Sequence, residues 1–211
     1  ILALLYLVYK TFSKLDFTPQ VDFWRTHWIW SLWNEYFDFT FDCSSCNKLL
    51  TNEKQIENPN KKYIFFEFPH GVFPMGQLIS VSRIHEMFDD EVIITGTGAD
   101  IIFQVPLMRQ FMSALGTLPA RKESFKKMIS NGYHCAVIPG GIAEMFLSSD
   151  DKEIIYFKRR RGTIKIAIQN QLDIIPAYFF GNTTLFDFPG SREKHTNDNQ
   201  KHATSTGILS R

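Results

Sequence analysis

The chain contains 211 residues, of which 44% are hydrophobic and 21% charged, a composition that fits one α/β domain and excludes disordered and collagen-like proteins. Twenty-three basic residues against twenty-two acidic ones give a formal charge of +1, which argues against nonspecific nucleic-acid binding as the main role. Three cysteines, Cys43, Cys46 and Cys135, are too few for a disulfide-stapled secreted module, so we expect a reducing compartment.

The first 41 residues are apolar and aromatic. Residues 1–9 form an apolar run that is much shorter than the roughly 20 residues of a membrane-spanning helix; it is either the end of a longer hydrophobic segment or an ordinary buried helix. All four Trp residues lie between residues 17 and 41. Because indoles favour the membrane interface, a helix over about residues 22–36 could lie there, or could equally form a core or docking surface. We predict that residues 1–41 are a membrane-associated segment.

Residues 42–62 are predicted to form a polar linker, because their second half is rich in Asn, Lys and Glu and contains Pro59. Cys43 and Cys46 within it have the spacing of a redox or zinc motif. No second pair of this kind follows, so incidental thiols are the better interpretation.

Short apolar runs alternate with helical segments after residue 62. The predicted strands are 63–68, 92–97, 135–138 and 173–180, and the predicted helices are 72–88, 103–114, 124–131 and 163–170. This alternation predicts an α/β domain over residues 63–188 with a mostly parallel sheet flanked by helices, whose strand carboxyl ends are where chemistry is expected. Residues 189–211 turn polar and are predicted to be a loop or tail.

A histidine lies where the first of these strands ends. His70 follows Pro69 and precedes Gly71, and a helix is predicted directly afterwards. The positive end of that helix disfavours the imidazolium ion, which would keep His70 neutral and able to accept a proton. Gly71 would let another group approach closely. The alternative is a histidine that is simply hydrogen-bonded within a turn.

A second strand-to-helix crossing is the stretch from Pro139 to Glu144. Gly140 and Gly141 follow a buried strand, and backbone N–H groups of such a turn can bind an anion or an oxyanion. Glu144 could orient His70 or position an acceptor hydroxyl, or it could pair with the helix dipole.

Basic residues cluster after this turn, at Lys158, Arg159, Arg160, Arg161 and Lys165. Such a cluster could hold the phosphates of a carrier or of anionic lipid, or it could be a solvated face. The sequence contains no nucleophile elbow, P-loop or zinc-protease motif.

Five segments in chain order resemble blocks of the type 2 diacylglycerol acyltransferase family, which includes monoacylglycerol and wax-ester acyltransferases. They are YIFFEFPHG at 63–71, FQVPLMRQFMSA at 103–114, PGGIAE at 139–144, KRRRGTIKIA at 158–167 and IIPAYFFG at 174–181. The first resembles the family's HPHG block, with Phe68 in place of the first histidine. Asn182 stands where the family usually has a glutamate.

The resemblance implies transfer of a fatty acyl group from acyl-CoA to the hydroxyl of diacylglycerol, forming triacylglycerol. Monoacylglycerol, a fatty alcohol, phytol or a sterol are alternative acceptors, and a non-catalytic lipid-binding homologue is a further alternative. The resemblance also implies a location in the endoplasmic reticulum membrane, with the site facing the cytosol, or on a lipid droplet. The expected partners are acyl-CoA as co-substrate, the lipid alcohol and membrane lipids, with no cofactor, metal or nucleic acid.

Residue roles follow from the same resemblance. The fold is expected to be similar to glycerolipid acyltransferases with an HxxxxD motif, but Met75 stands at the aspartate position. Another group must then orient His70, with Glu144 as the first candidate and Glu67 and Asp100 as weaker ones. The predicted catalytic residues are His70 and Glu144; the predicted substrate-binding residues are Pro69, Gly71, Gly140, Gly141, Arg109, Arg160 and Lys165. The candidates for an apolar acyl channel are Phe65, Phe66, Phe68, Phe73 and Ile79.

Overall fold

The computed structural model describes residues 3, 4, 6, 8, 27–42, 61–84, 93–147 and 152–186. Within them the helices are α1 (Ile29–Tyr36), α2 (Met75–Ile84), a 3-10 helix (Asp100–Gln104), α3 (Pro106–Ala114), α4 (Lys122–Ser130), α5 (Gly141–Leu147) and α6 (Arg161–Gln169), and the strands are β1 (Tyr63–Phe68), β2 (Ile94–Gly98), β3 (Leu118–Pro119), β4 (His134–Val137) and β5 (Asp173–Tyr178). The Cys43–Cys46 pair and the polar tail lie outside the described residues.

The strands form one five-stranded sheet in the order β3-β2-β4-β1-β5. Every neighbouring pair is parallel, with Phe65 of β1 opposite Ala136 of β4 on one side and Ile175 of β5 on the other. Helices connect the strands, as parallel neighbours require. The predicted α/β class with a mostly parallel sheet is therefore confirmed.

Side chains of β1 alternate between two apolar clusters, one on each face of the sheet. Ile64 and Phe66 pack with Phe125 and Met128 of α4, and the opposite face holds Tyr63 and Phe65 with Ile94 and Ala136. Burial on both faces explains why β1 reads as a nearly continuous apolar run.

Most bounds lie one to three residues from the predicted ones, and two helix starts differ for identifiable local reasons. The helix predicted over 103–114 is divided, because Pro106 lacks an N–H and begins α3 in the position that tolerates proline. The helix predicted from residue 72 begins at Met75, after Gly71 adopts a positive φ of 64°. Two elements were not predicted as such: β3, which is only two residues long, and α5.

Helix α1 packs against α2 with one side and leaves the other exposed. Trp30 is buried, and the Asn34 side-chain amide lies 3.5 Å from Ser82 Oγ on α2. Trp28, Leu32 and Tyr36, spaced four residues apart, are exposed. Among the described residues, no helix is both long and apolar enough to cross a bilayer. Membrane association of residues 1–41 stays a prediction.

Candidate active site

The site lies at the carboxyl edge of the sheet, where β1 and β4 end side by side. These strands are parallel neighbours, so the turn after β1 that carries His70 meets the turn after β4 that carries Gly140 and Gly141. The topology thus brings together the two crossings that the sequence singled out.

The His70 ring is oriented by the residue that follows it. Its Nδ1 atom lies 2.8 Å from the carbonyl oxygen of Gly71. A carbonyl oxygen only accepts hydrogen bonds, so this contact requires the proton on Nδ1. In a neutral imidazole Nε2 then keeps its lone pair and can accept a proton.

Glu144 contacts the backbone of His70, not its ring. It is fully buried at 0% exposure; Oε1 accepts the His70 backbone N–H at 2.5 Å, and Oε2 accepts the Tyr156 N–H at 2.9 Å. The carboxylate therefore joins the His70 turn to the segment before α6. That Glu144 orients the imidazole stays a prediction; any such effect would act through the His70 backbone, which Glu144 contacts.

Gly140 makes room for this carboxylate. A Cβ atom at position 140 would overlap the Glu144 carboxyl group, so only glycine fits there. Gly141 has a positive φ of 56° and begins α5, a conformation that glycine adopts without strain.

Sequence reasoning missed the part played by Asn182. This residue is buried at 2% exposure; its Nδ2 donates to the carbonyls of Pro69 and His70, each at 3.0 Å, and its Oδ1 accepts the Gly76 N–H at 2.9 Å. A Cβ at Gly71 would lie 2.7 Å from the Asn182 carbonyl oxygen. The sequence signal for it was that Asn182 stands, after the last strand, where the resembled family usually has a glutamate.

A largely apolar cavity of about 810 Å³ opens beside His70. It is lined by the predicted catalytic residue His70, by the predicted substrate-binding residues Gly141 and Arg160, and by the channel candidate Phe73. The other predicted residues do not line it: Pro69, Gly71, Gly140, Arg109, Lys165, Phe65, Phe66, Phe68 and Ile79. Phe65 and Phe66 belong to the core clusters, and Ile79 is 1% exposed. The cavity is lined instead by side chains of α2 and α3, including Leu78, Val81, Met108, Phe111 and Met112.

The basic cluster divides at the cavity. Arg159, Arg160 and Arg161 line it, whereas Lys158 and Lys165 are exposed elsewhere. Arg160 Nη2 donates to the Gly140 carbonyl at 3.2 Å, and its guanidinium lies 5.3 Å from the centre of the Tyr156 ring. Arginines thus provide the positive charge of the site.

The other acidic candidates are in different surroundings. Asp100 pairs with Arg121 at 2.9 Å on the surface. Glu67 is buried and lines the cavity, and burial raises its pKa to about 8. The carboxyl group of Glu67 is therefore neutral at pH 7.

A second histidine close to β1 has a structural contact. His134 Nδ1 accepts the Tyr63 backbone N–H at 2.9 Å, and its ring stacks on that of Tyr63. Burial lowers its pKa to about 4, so His134 stays neutral and unavailable for proton transfer.

The fold and site define a parallel α/β domain with a strand-end histidine, an apolar cavity and adjacent arginines. The chain belongs to the diacylglycerol acyltransferase family, whose model matches residues 1–206. The resemblance inferred from the five segments is confirmed.

The chain is similar to named relatives over most of its length. It is 27% identical to diacylglycerol O-acyltransferase 2-like protein 6 of Mus musculus over 88% of this chain and 55% of the relative. It is 25% identical to diacylglycerol O-acyltransferase 2 of the same species over 87% of this chain and 48% of the relative. It is 30% identical to diacylglycerol O-acyltransferase 2A of Umbelopsis ramanniana over 64% and 40%, respectively.

The chain spans about half the length of the curated relatives it matches. No solved structure is significantly similar to it.

Proposed function

We propose that this chain carries the acyl-transfer site of an acyl-CoA-dependent acyltransferase that converts diacylglycerol to triacylglycerol. The observation that supports this most directly is His70, whose Nδ1 contact with Gly71 leaves Nε2 as a base beside the apolar cavity. The names of the similar proteins supply the acceptor, diacylglycerol.

In this mechanism Nε2 of His70 takes the proton of the acceptor hydroxyl while that oxygen attacks the thioester carbonyl carbon. Backbone N–H groups near Gly140 and Gly141 stabilise the negative charge on the carbonyl oxygen. The carbon–sulfur bond then breaks, and the CoA thiolate leaves with the proton from His70. The thioester is already activated, so no covalent enzyme intermediate is needed.

The rest of the site fits the two ends of acyl-CoA. The side chains of α2 and α3 that line the cavity provide an apolar surface for the acyl chain. Arg159, Arg160 and Arg161 line the same cavity and would bind the CoA phosphates, because guanidinium groups pair with phosphate through two parallel hydrogen bonds.

The acceptor is a lipid, so we also propose that the enzyme works at a membrane, that of the endoplasmic reticulum or of a lipid droplet, with the site on the cytosolic side. Trp28, Leu32 and Tyr36 support this, because they present an exposed aromatic and apolar side of α1.

The test is a pair of substitutions at His70 that separate the base from the turn. Membranes from cells that express the chain are assayed with labelled oleoyl-CoA and dioleoylglycerol. His70→Ala removes both ring nitrogens, whereas His70→Asn keeps a donor for the Gly71 carbonyl and lacks Nε2. Both should lower kcat about 10²- to 10⁴-fold, the usual effect of losing a positioned base.

Two results would contradict this function. Recovery of near-normal turnover in His70→Asn would mean that the ring only holds the turn. Absence of labelled triacylglycerol with the wild-type chain, alongside ester formation with oleyl alcohol or monooleoylglycerol, would assign a different acceptor.

A further inference from the structure

Glu67 occupies an unusual place for a carboxyl group. It shares a face of β1 with Tyr63 and Phe65, which belong to an apolar cluster. Its side chain is buried at 6% exposure and lines the same cavity as His70. Within the part of the chain that the structure describes, no hydrogen bond to this carboxyl group is found. A polar group in an apolar cavity is costly unless it finds a partner.

Gln77 on α2 lines the cavity as well and has a free oxygen. Its Nε2 donates to the Pro69 carbonyl at 2.7 Å. Because a carbonyl cannot donate, the nitrogen must be the atom that faces Pro69, which fixes the orientation of the amide. The opposite atom, Oε1, is buried and has no hydrogen-bond partner among the described residues.

We propose that Glu67 and Gln77 form a polar subsite that binds a second oxygen-bearing group of a glyceride acceptor, next to the hydroxyl that reacts at His70. This subsite rests on the proposed function and specifies its acceptor class. Glycerides carry an ester carbonyl or a further hydroxyl on the glycerol backbone, which a simple fatty alcohol lacks.

The two side chains offer complementary chemistry. With a pKa raised to about 8 by burial, Glu67 is a neutral acid at pH 7 and donates its O–H to an ester carbonyl. Gln77 Oε1 accepts from the further hydroxyl of a monoacylglycerol, whereas diacylglycerol, whose one hydroxyl reacts at His70, contacts Glu67 through an ester carbonyl. The other titratable or charged side chains that line the cavity are His70, Arg159, Arg160 and Arg161.

The experiment measures equilibrium binding of labelled dioleoylglycerol and oleyl alcohol to the purified chain in mixed micelles. Glu67→Met replaces the acid by an apolar side chain of similar length and should lower the preference for dioleoylglycerol about 3- to 10-fold, the value of one hydrogen bond. Glu67→Gln keeps a donor and should restore the preference. Glu123→Met, the same change at an exposed position on α4, is the matched control and should bind both lipids as the wild type does.

A pH series gives a second readout that a merely structural Glu67 would not produce. Above about pH 8 the wild-type carboxyl ionises and loses its donor, so the preference should fall between pH 7 and 9, whereas Glu67→Gln should keep it. Thermal unfolding verifies that each variant is folded, and the comparison of Glu67→Gln with wild type is decisive if Glu67→Met fails to fold.

Equal weakening of both lipids in Glu67→Met, or a preference that does not change with pH in the wild type, would overturn the subsite. Failure of the proposed function looks different: binding would show the preference while acyl transfer to either acceptor is absent. Acyl transfer without any preference between the two lipids would contradict the subsite alone.

Discussion

The backbone around His70 is held by three buried side chains, Gln77 from the helix that follows and Glu144 and Asn182 from distant parts of the chain. Gln77 and Asn182 both donate to the Pro69 carbonyl, Asn182 also donates to the His70 carbonyl, and Glu144 accepts the His70 N–H. Each bond fixes a backbone group that would otherwise be free to move. Positioning of this kind reduces the entropy that must be lost when the reacting groups align.

Asn182 should therefore be needed for both stability and turnover. Asn182→Ala leaves the Gly76 N–H and the His70 carbonyl without their partner, and a buried polar group left unpaired costs about 1–3 kcal/mol. We expect the free energy of unfolding to fall by about 3 kcal/mol and kcat to fall roughly 10- to 100-fold. Denaturant unfolding and the acyl-transfer assay measure these changes.

Asn170→Ala is the control, because the Asn170 amide makes a single exposed hydrogen bond to the Ile166 carbonyl. It should change the free energy of unfolding by less than about 0.5 kcal/mol. If Asn182→Ala lowered the free energy of unfolding as little as Asn170→Ala does, the hydrogen bonds of Asn182 around His70 would not contribute to stability.

At this scale the sequence located the turns but not their partners. His70 and Gly140 could be found because a strand pattern ends beside each of them. The contacts of Asn182 with Pro69 and His70 span more than 110 residues, and no local pattern encodes them. Glu144 was expected at the His70 ring, whereas the observed contact is with its backbone N–H; which atom is reached depends on the path of the turn.

Among the elements, the long strands were the easiest to predict. β1 was predicted with its observed bounds, since burial on both faces leaves a nearly continuous apolar run, interrupted by Glu67, between Lys62 and Pro69. β3 has two residues, which among the described strands pair through Thr97–Leu118 and Gly98–Pro119, so it leaves no period to detect. α5 begins with a glycine in the left-handed region, and its start is therefore dictated by the turn and not by helix propensity.

Two glycines in neighbouring elements should respond in opposite ways to alanine. Gly140→Ala places a methyl group on the Glu144 carboxylate and must displace it from the His70 N–H. We expect a loss of at least about 2 kcal/mol in unfolding free energy, measured by denaturant, together with reduced kcat.

Gly162 lies in α6, and a Cβ there meets no atom within 4 Å. Gly162→Ala should add up to about 1 kcal/mol through helix propensity. Similar effects at both positions would mean that the Gly140 turn can rearrange.

The start of α6 gives a test of carrier binding. Arg160 also supports the Gly140 turn, so the cleaner change is Arg159→Ala with Arg161→Ala, two exposed residues on the cavity. We expect the KM for acyl-CoA to rise roughly 3- to 10-fold with little change in the KM for diacylglycerol, because these charges contribute mainly to binding. Lys122→Ala with Lys126→Ala, on the exposed side of α4, is the control and should leave both constants unchanged. If the KM values for acyl-CoA and diacylglycerol rose equally, Arg159 and Arg161 would not bind acyl-CoA specifically.

On the scale of the whole molecule, the sheet order determines which distant segments meet. β1 lies between β4 and β5, so the turn after β1 is reached from one side by Glu144 and from the other by Asn182. A sequence predicts alternating strands and helices but not this order, because no local pattern encodes which strands pair with each other. The site therefore forms only when the sheet is assembled in this order. The same assembly buries the carboxyl groups of Glu67 and Glu144.

Enclosing Glu67 should make the stability of the whole domain depend on pH. Its pKa is raised from 4.5 to about 8 in the folded chain. Between these values the unfolded chain loses the proton while the folded chain retains it, so the free energy of unfolding falls as the pH rises, by at most about 1.4 kcal/mol per pH unit. Above about pH 8 both states are ionised, and this group causes no further loss.

Denaturant unfolding of wild type and Glu67→Gln from pH 5 to 9 measures this dependence as a difference that cancels the other ionisable groups. Glu67→Gln cannot ionise, so its advantage over the wild type should grow steadily from pH 5 to about pH 8 and then level off. Glu123→Gln, at an exposed site, should run parallel to the wild type throughout. Parallel curves for Glu67→Gln as well would show that water reaches the Glu67 carboxyl freely, and a solvated carboxyl at this position could not act as a neutral donor in the cavity.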